Sequence, residues 1–194
     1  MYSQRKEELH ILQYFQQPKG TFLDVGAYNP FKFSTTRALY EKGWKGAFIE
    51  PSDACRKSLT DEYEKDEEIE IYDICLGTEN KVVDFWDSQG DALSSTDISH
   101  VQKWKIGYNS KFTETTVNMI SVEQFMKITK FDSFNFINID VENDDLALKI
   151  LRAFDLSDTQ MVCIEVPKIL RPAVLQWTGW RNIYESPENI IVAR

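Results

Sequence analysis

Four acidic residues stand at or near the ends of apolar, strand-length runs along this chain. They are Asp24, Glu50, Asp73 and Asp140. In an open parallel sheet, ligands bind outside the carboxyl ends of the strands, close to the point where the strand order reverses. Because side chains at strand ends meet at one edge of such a sheet, these four carboxylates are predicted to line a single cleft.

The first two of these acids predict a nucleoside site. Asp24 belongs to the segment Asp24-Val25-Gly26-Ala27, where a glycine after a buried strand lets the backbone approach a ligand closely. Glu50 follows twenty-six positions later, at the end of the next apolar run. A carboxylate in that place can accept hydrogen bonds from two vicinal hydroxyl groups. Together the two segments predict a ligand that carries a ribose.

The glycine pattern argues against two common nucleotide sites. Gly26 is followed by Ala27-Tyr28-Asn29-Pro30, so the second and third glycines of a dinucleotide fingerprint are missing. The chain also lacks the Gly-x-x-x-x-Gly-Lys-Ser/Thr cradle that binds phosphates in P-loop proteins. A nucleotide-sugar or nicotinamide-binding enzyme is therefore only a subordinate hypothesis.

The elements that must position these acids alternate between strand-like and helix-like patterns. This alternation predicts an α/β fold in which helices cover a parallel sheet. Strands are predicted at residues 21–25, 46–50, 69–76, 82–86, 134–141 and 161–166, with a terminal antiparallel hairpin at 182–184 and 189–192. Helices are predicted around 9–12 and at 34–42, 53–63, 121–130 and 144–154.

Residues 87–115 form a long polar segment rich in Ser, Asp, Asn and Gly. A structureless connection of this length is uncommon in a compact domain and is typical of a functional loop or a mobile lid. It is the candidate substrate cover. His100 lies in it as an exposed alternative base, because the pKa of an imidazole lies close to neutral pH.

The composition limits the class of protein. The 194 residues are predicted to form one domain, 1–194, with 42% hydrophobic residues and a formal net charge of -9. That charge would repel a phosphate backbone, so nucleic acid is not expected as a partner. Without a secretory signal or a long apolar span, a soluble cytoplasmic protein with no membrane partner is expected. The three cysteines, Cys55, Cys75 and Cys163, suggest reduced thiols.

Five ordered motifs resemble those of FkbM-type S-adenosylmethionine-dependent methyltransferases over residues 20–166. The motifs are Asp24-Val25-Gly26-Ala27, Phe33-Ser34-x-Thr36, Gly43-Trp44-x-Gly46, Ile49-Glu50-Pro51 and Ile139-Asp140-Val141-Glu142. The resemblance implies the class I methyltransferase (Rossmann-like) fold, a seven-stranded, mostly parallel sheet with helices on both faces and an antiparallel edge strand. It also implies O-methylation of a hydroxyl on a sugar, glycan or small natural product.

The same resemblance implies roles for individual residues. Asp24, Gly26 and Ala27 would line the methionine portion of S-adenosylmethionine, and Glu50 would hold its ribose hydroxyls. Further along the chain, Asp73 and Ile74 would flank the adenine, and Asp140 would face the methyl group. Ser94 and Ser95 resemble a family serine segment that would contact substrate or cofactor, with turn formation as the plain alternative.

The proposed reaction is an in-line methyl transfer, in which orientation supplies much of the acceleration. A hydroxyl acceptor would benefit from a general base, for which Asp140 is the first candidate and Glu142 the second. Equally, Asp140 could orient only the cofactor amine, and Glu142 could only cap the next helix. No metal is predicted, because Asp144 and Asp145 suit the positive end of that helix dipole.

A hypothesis from a different class is a noncatalytic cofactor-binding module of the same fold. The family often has lysine before the Ile-Asp-Val-Glu segment and glycine after it, whereas this chain has Asn138 and Asn143. Methyl transfer to a panel of acceptors discriminates between the two hypotheses. The sequence predicts a small-molecule or carbohydrate acceptor but neither its identity nor the oligomeric state.

Overall fold

A computed structural model describes residues 1–194. Its strands are β1 Thr21–Val25, β2 Lys45–Ile49, β3 Ile69–Tyr72, β4 Cys75–Gly77, β5 Lys81–Asp87, β6 Thr113–Ser121, β7 Phe136–Ile139, β8 Met161–Glu165, β9 Arg181–Glu185 and β10 Asn189–Ala193. Its α-helices are α1 Glu7–Tyr14, α2 Arg37–Glu41, α3 Asp53–Tyr63, α4 Ile98–Tyr108, α5 Val122–Ile128, α6 Asp144–Ala153 and α7 Arg171–Thr178, and a 3₁₀ turn, Lys168–Leu170, precedes α7.

The main sheet has seven strands in the order β3-β2-β1-β7-β8-β10-β9. The five strands from β3 to β8 pair in parallel, and β10 runs antiparallel to both β8 and β9. The predicted terminal hairpin is confirmed and forms the antiparallel edge of the sheet. The chain moves outward from β1 to β3 and then returns to the other side of β1 with β7. The switch point at which α/β sheets bind ligands therefore lies between β1 and β7.

Both faces of the sheet are covered, as predicted. Successive side chains of a strand point to opposite faces, so apolar strands without alternation are buried on both sides. On one face, Phe22, Phe48 and Phe136 pack with buried residues of α1, α2 and α3. On the other face, Leu23 and Ile137 pack with buried residues of α5, α6 and α7. Two hydrophobic layers therefore hold the strand ends in fixed positions.

Polar side chains set several helix starts. Ser121 Oγ accepts a hydrogen bond from Gln124 N at the start of α5, and Asn143 Oδ1 accepts one from Leu146 N at the start of α6. The helix predicted at 34–42 is shorter than expected and covers only Arg37–Glu41. Its first predicted turn is replaced by a hydroxyl-rich segment that belongs to the site described below.

Two predicted elements need correction. The strand predicted at 69–76 ends at Tyr72, because the chain then leaves the main sheet and forms β4 in a second sheet with the order β4-β6-β5. The segment 87–115 is not a structureless lid, since it contains α4 and the start of β6. Helix α4 and strand β6 were not predicted, because neither shows a clear apolar period in the sequence. Only Val101 is fully buried in α4, and most of β6 is exposed.

All three cysteines are buried and none forms a disulfide, in agreement with the prediction of reduced thiols. None of the helices combines the length and the apolar character that a membrane crossing requires.

Candidate functional site

A cleft of about 870 Å³ opens at the carboxyl ends of β1, β2, β7 and β8. Each of these strands contributes a residue at or just beyond its end, and the four residues are Gly26, Glu50, Asp140 and Glu165. Helix α4 lines the cleft through residues that include His100. The structure thus brings Asp24, Glu50 and Asp140 to one cleft, as predicted for three of the four strand-end acids.

Asp24 is an internal support of the cleft wall. Its side chain is buried, and its two oxygens accept hydrogen bonds from Thr36 Oγ1 at 2.6 Å and from Asn138 Nδ2 at 2.8 Å. Asn138 stands directly opposite Asp24 in the register of β1 and β7. Burial raises the pKa of the Asp24 carboxyl, while the two hydrogen bonds oppose that rise. The pair ties β7 and the segment before α2 to the end of β1.

The turn after β1 is held by the neighbouring strand. Gly26 N and Ala27 N both donate to Ile49 O, at 2.9 and 3.2 Å. Gly26 has a φ of 79°, in the left-handed region that favours glycine. A Cβ at this position would lie 1.7 Å from the carbonyl oxygen of Asp140. The glycine is therefore required by packing against the protein backbone, whereas the sequence suggested close approach of a ligand.

Glu50 is buried at the end of β2 and fixes the same turn. Its Oε2 accepts a hydrogen bond from Tyr28 N and its Oε1 accepts one from Ser52 N, both at 2.8 Å. Burial raises the pKa of Glu50 to about 7, against the effect of these two backbone donors. Each carboxylate oxygen has a second lone pair, so the group can still accept hydrogen bonds from a ligand hydroxyl.

Three carboxylates form an acidic cluster, defined as Asp140, Glu142 and Glu165. One oxygen from each side chain lies within 4.8 Å of the others. Burial and the neighbouring charge of Glu165 raise the pKa of Asp140 well above its usual range and raise that of Glu142 to about 8. Like charges this close in a partly desolvated cleft cannot all ionise without a counter-charge. The cluster therefore retains protons or binds a positive group.

Glu165 was missed as a site residue in the sequence. It ends β8, and β8 is the neighbour of β7 in the sheet. The rule that selected Asp140 applies equally to an acid at the end of the following parallel strand. The sequence therefore contained the signal for Glu165 as a site residue, although Glu165 was assigned only to a predicted strand.

The spacing of the acidic cluster would allow a hard cation to contact all three side chains. The sequence pattern places Asp144 and Asp145 at the start of α6 and gives no ligand role to Glu165. Asp145 points away and forms an ion pair with Lys149 at 2.5 Å, whereas Asp144 does line the cleft. Carboxylate groups alone do not distinguish a metal ion from another positive group.

Helix α4 places a histidine beside the acidic cluster. His100 Nδ1 lies 3.4 Å from Glu142 Oε2, and the side chain is only 13% exposed. Burial lowers the pKa of His100. The expectation of an exposed loop histidine is therefore wrong, because the residue lies on a helix that packs over the cleft. Ser95, on the same side, donates from Oγ to the backbone oxygen of Glu142 at 2.9 Å.

Asp73 and Ile74 are separated by the exit of the chain from the main sheet. Ile74 lines the cleft. Asp73 does not, because its side chain is 63% exposed and accepts a hydrogen bond from Arg56 Nη1 at 2.7 Å. The structure therefore separates Asp73 from the cleft that Ile74 lines.

The raised pKa values predict that the unliganded protein loses stability as the pH rises. Glu142, with a pKa of about 8, and Glu50, with a pKa of about 7, both have ordinary values of 4.5. Between pH 4.5 and about pH 8 the folded chain binds more protons than the unfolded chain. The stabilisation from these two protonated carboxyl groups is therefore complete near pH 4.5 and is lost as the pH rises through about 8. We expect the thermal midpoint to fall from about pH 5.5 to about pH 8.5.

Circular dichroism melts at both pH values measure this effect. Glu142→Gln should flatten the pH dependence, whereas Glu64→Gln, at an exposed position, should leave it unchanged. A midpoint that rises with pH over the same range would contradict the account of the acidic cluster.

Comparison with known proteins gives a family and a fold. The family model described as "Methyltransferase FkbM domain" matches residues 24–178. The methyltransferase FkbM structure from Methylobacillus flagellatus KT matches with a TM-score of 0.61 at 11% identity, over 100% of this chain and 48% of that chain. This chain therefore spans about half the length of that structure.

Two further solved structures show the same fold. A putative tRNA (m1A22) methyltransferase from Streptococcus pneumoniae matches with a TM-score of 0.51 at 13% identity, over 98% of this chain and 70% of that one. The ribosomal protein L11 methylase from Lactobacillus delbrueckii subsp. bulgaricus matches with a TM-score of 0.50 at 12% identity, over 96% and 74% of the two chains. No curated relative matches the sequence.

Proposed function

We propose that this chain, which belongs to the methyltransferase FkbM domain family, transfers the methyl group of S-adenosylmethionine to a hydroxyl of a sugar, glycan or small natural product. The observation that carries the proposal is the cleft at the switch point. Glu50 lies on one side of the switch, and the acidic cluster lies on the other. Glu50 suits the ribose of the cofactor, and the acidic cluster suits its positively charged sulfonium and ammonium groups.

The cofactor would lie across the carboxyl ends of the strands. Glu50 would accept hydrogen bonds from the ribose hydroxyls, and Ile74 would contact the adenine on the β3 side. The backbone of Gly26 and Ala27 would line the methionine portion, and Asp24 would hold that wall from behind through its bonds to Thr36 and Asn138. Hydrogen bonds already hold Asp24, Glu50 and the turn at Gly26 and Ala27 in place, which limits reorganisation on binding.

The acidic cluster supports the position of the reacting sulfonium. Three carboxylates within 4.8 Å need a positive group nearby if more than one is to ionise. S-adenosylmethionine has a permanent positive charge on sulfur and an ammonium group on its methionine portion. Its binding would lower the pKa values of Asp140 and Glu142 and make a carboxylate available as a base.

The chemical step would be a direct displacement. S-adenosylmethionine would supply a methyl group on a sulfonium, so that an acceptor oxygen could form the bond to the methyl carbon while the carbon–sulfur electrons return to sulfur and S-adenosylhomocysteine leaves. The hydroxyl proton would pass to Asp140, our first candidate for the base, or to Glu142, our second. His100, 3.4 Å from Glu142, remains an alternative acceptor for this proton.

The structure gives other reasons for the two asparagines that motivated a noncatalytic alternative. Asn138 donates to Asp24, and Asn143 caps α6. Asn143 also takes the capping role that was considered for Glu142. Since both asparagines stabilise the cleft walls, their presence does not itself favour the loss of catalysis.

A transfer assay tests the proposed function directly. The chain is incubated with S-adenosylmethionine labelled on its methyl group and with a panel of glycans and small alcohols, and labelled products are separated. We expect labelling of at least one hydroxyl compound and release of S-adenosylhomocysteine. Cofactor binding without transfer to any member of a broad panel would favour the noncatalytic module.

Glu50→Gln is expected to weaken cofactor binding by about tenfold or more. The amide cannot accept from both backbone donors and from the ribose as a carboxylate does. Isothermal titration with S-adenosylhomocysteine at about pH 8, where the carboxyl group is largely ionised, measures the change. The matched control is Glu64→Gln on the exposed end of α3. Equal affinities for Glu50→Gln and the wild type would place the ribose elsewhere.

A further inference from the structure

Three consecutive hydroxyl side chains connect the turn after β1 to helix α2. Ser34 Oγ accepts a hydrogen bond from Arg37 N at 3.1 Å, and Thr36 Oγ1 donates to Asp24 at 2.6 Å. Thr35, between them, is different. Its Oγ1 is buried without a hydrogen-bond partner, and the residue is only 7% exposed although it lines the cleft.

An unpaired hydroxyl at this depth has a free-energy cost. Most buried polar atoms in native proteins have a hydrogen-bond partner, and removing a hydroxyl from water without replacing its bonds is unfavourable. A valine of nearly the same shape would avoid that cost. Because Thr35 is one of the residues that line the cleft, a bound ligand is a candidate partner for its hydroxyl.

The charge of the cleft indicates which ligand atom this is. Ten carboxylate side chains line the cleft, whereas the basic side chains are limited to Lys103 and His100, both on α4. Thr35 precedes Thr36, which donates to Asp24 near the end of β1, so Thr35 lies on the β1 side of the cleft, and neither of the two basic side chains belongs to this part of the fold. An ammonium group of a ligand can therefore pair with several carboxylates of the cleft. A ligand carboxylate bound near β1, in contrast, depends on neutral hydrogen-bond donors.

We propose that Thr35 is a cofactor-binding residue whose Oγ1–H donates a hydrogen bond to the α-carboxylate of the methionine portion of S-adenosylmethionine. This inference rests on the proposed function. Thr35 supplies a hydrogen-bond donor for the ligand carboxylate without adding a positive charge to the acidic cleft. The unpaired hydroxyl in the unliganded chain is then a preformed part of the cofactor site.

Two ligands that differ in the methionine portion test the proposal. S-adenosylhomocysteine carries the α-carboxylate, and 5′-methylthioadenosine has the same adenosine but no amino-acid portion. We expect Thr35→Val to lower the affinity for S-adenosylhomocysteine by roughly tenfold or more, because a hydrogen bond to a charged group is lost. Affinity for 5′-methylthioadenosine should stay within about threefold. Thr35→Ser, which keeps the hydroxyl, should bind both ligands nearly as the wild type does.

Thermal unfolding of the unliganded variants provides the folding control. Thr35→Val should melt at or above the wild-type midpoint, because it removes an unpaired polar atom. Equal loss of affinity for both ligands, or unchanged affinity for S-adenosylhomocysteine, would overturn the role of Thr35 while leaving the proposed function intact. If the wild-type chain binds neither ligand, the proposed function fails and the role of Thr35 fails with it.

Discussion

Replacing Asp140 with Asn is expected to reduce methyl transfer by about a hundredfold or more while cofactor affinity changes by only a few fold. Asp140 follows β7 and lies in the acidic cluster with Glu142 and Glu165. Its carboxyl group has a strongly raised pKa in the unliganded chain, so it binds a proton tightly. An amide has nearly the same shape but cannot take the proton of the attacking hydroxyl.

Single-turnover transfer and calorimetric titration on the same preparation separate the two effects. Asp145→Asn is the matched control, because Asp145 lies five residues further along, is 78% exposed and pairs with Lys149. Asp140→Asn should not melt below the wild type, since it removes one of three mutually repelling carboxyl groups. Normal turnover in Asp140→Asn, together with loss of turnover in Glu142→Gln, would assign the base to Glu142.

Replacing Gly26 with Ala is expected to destabilise the fold by about 3 kcal/mol or more, from strain in a left-handed backbone and from overpacking. The new Cβ would lie 1.7 Å from Asp140 O, at a backbone φ of 79°. The atom that it meets is main chain, which cannot rotate away as a side chain can. For a chain of this length, the thermal midpoint should fall by about 10 °C, or the variant should not fold.

Gly107→Ala is the matched control for this substitution. Gly107 lies within α4, and a Cβ there would meet no atom within 4 Å. In a helix, alanine should leave the midpoint unchanged or raise it. If Gly26→Ala melted like the wild type but lost cofactor affinity, the glycine would serve the ligand rather than the contact between β1 and β7.

The positions of Asp24, Glu50 and Asp140 could be predicted because each depends on a local rule. A doubly buried strand shows as a short apolar run, and the acids at the ends of such runs in successive α/β units meet at one edge. The same rule failed for Asp73, because the chain leaves the main sheet after Tyr72. That departure depends on pairing between β4 and β6, more than forty residues apart.

Other features of the cleft had no local signal. The hydrogen bond from Asn138 to Asp24 spans 114 residues, and the contact between Gly26 and Asp140 also joins distant segments. The turn glycine could therefore be recognised as special, but its packing partner could not be named. Helix α4 was missed because its apolar residues are spread around the helix and give almost no apolar face. Its position beside the cleft is visible only in the structure.

Calorimetric titration of the wild-type chain with S-adenosylhomocysteine is the most direct test of the central claim, that the cleft between Glu50 and the acidic cluster binds the adenosyl cofactor. We predict saturable binding of one molecule per chain. A well-folded preparation that shows no saturable binding heat, and no rise in its thermal midpoint with excess ligand, would contradict this claim.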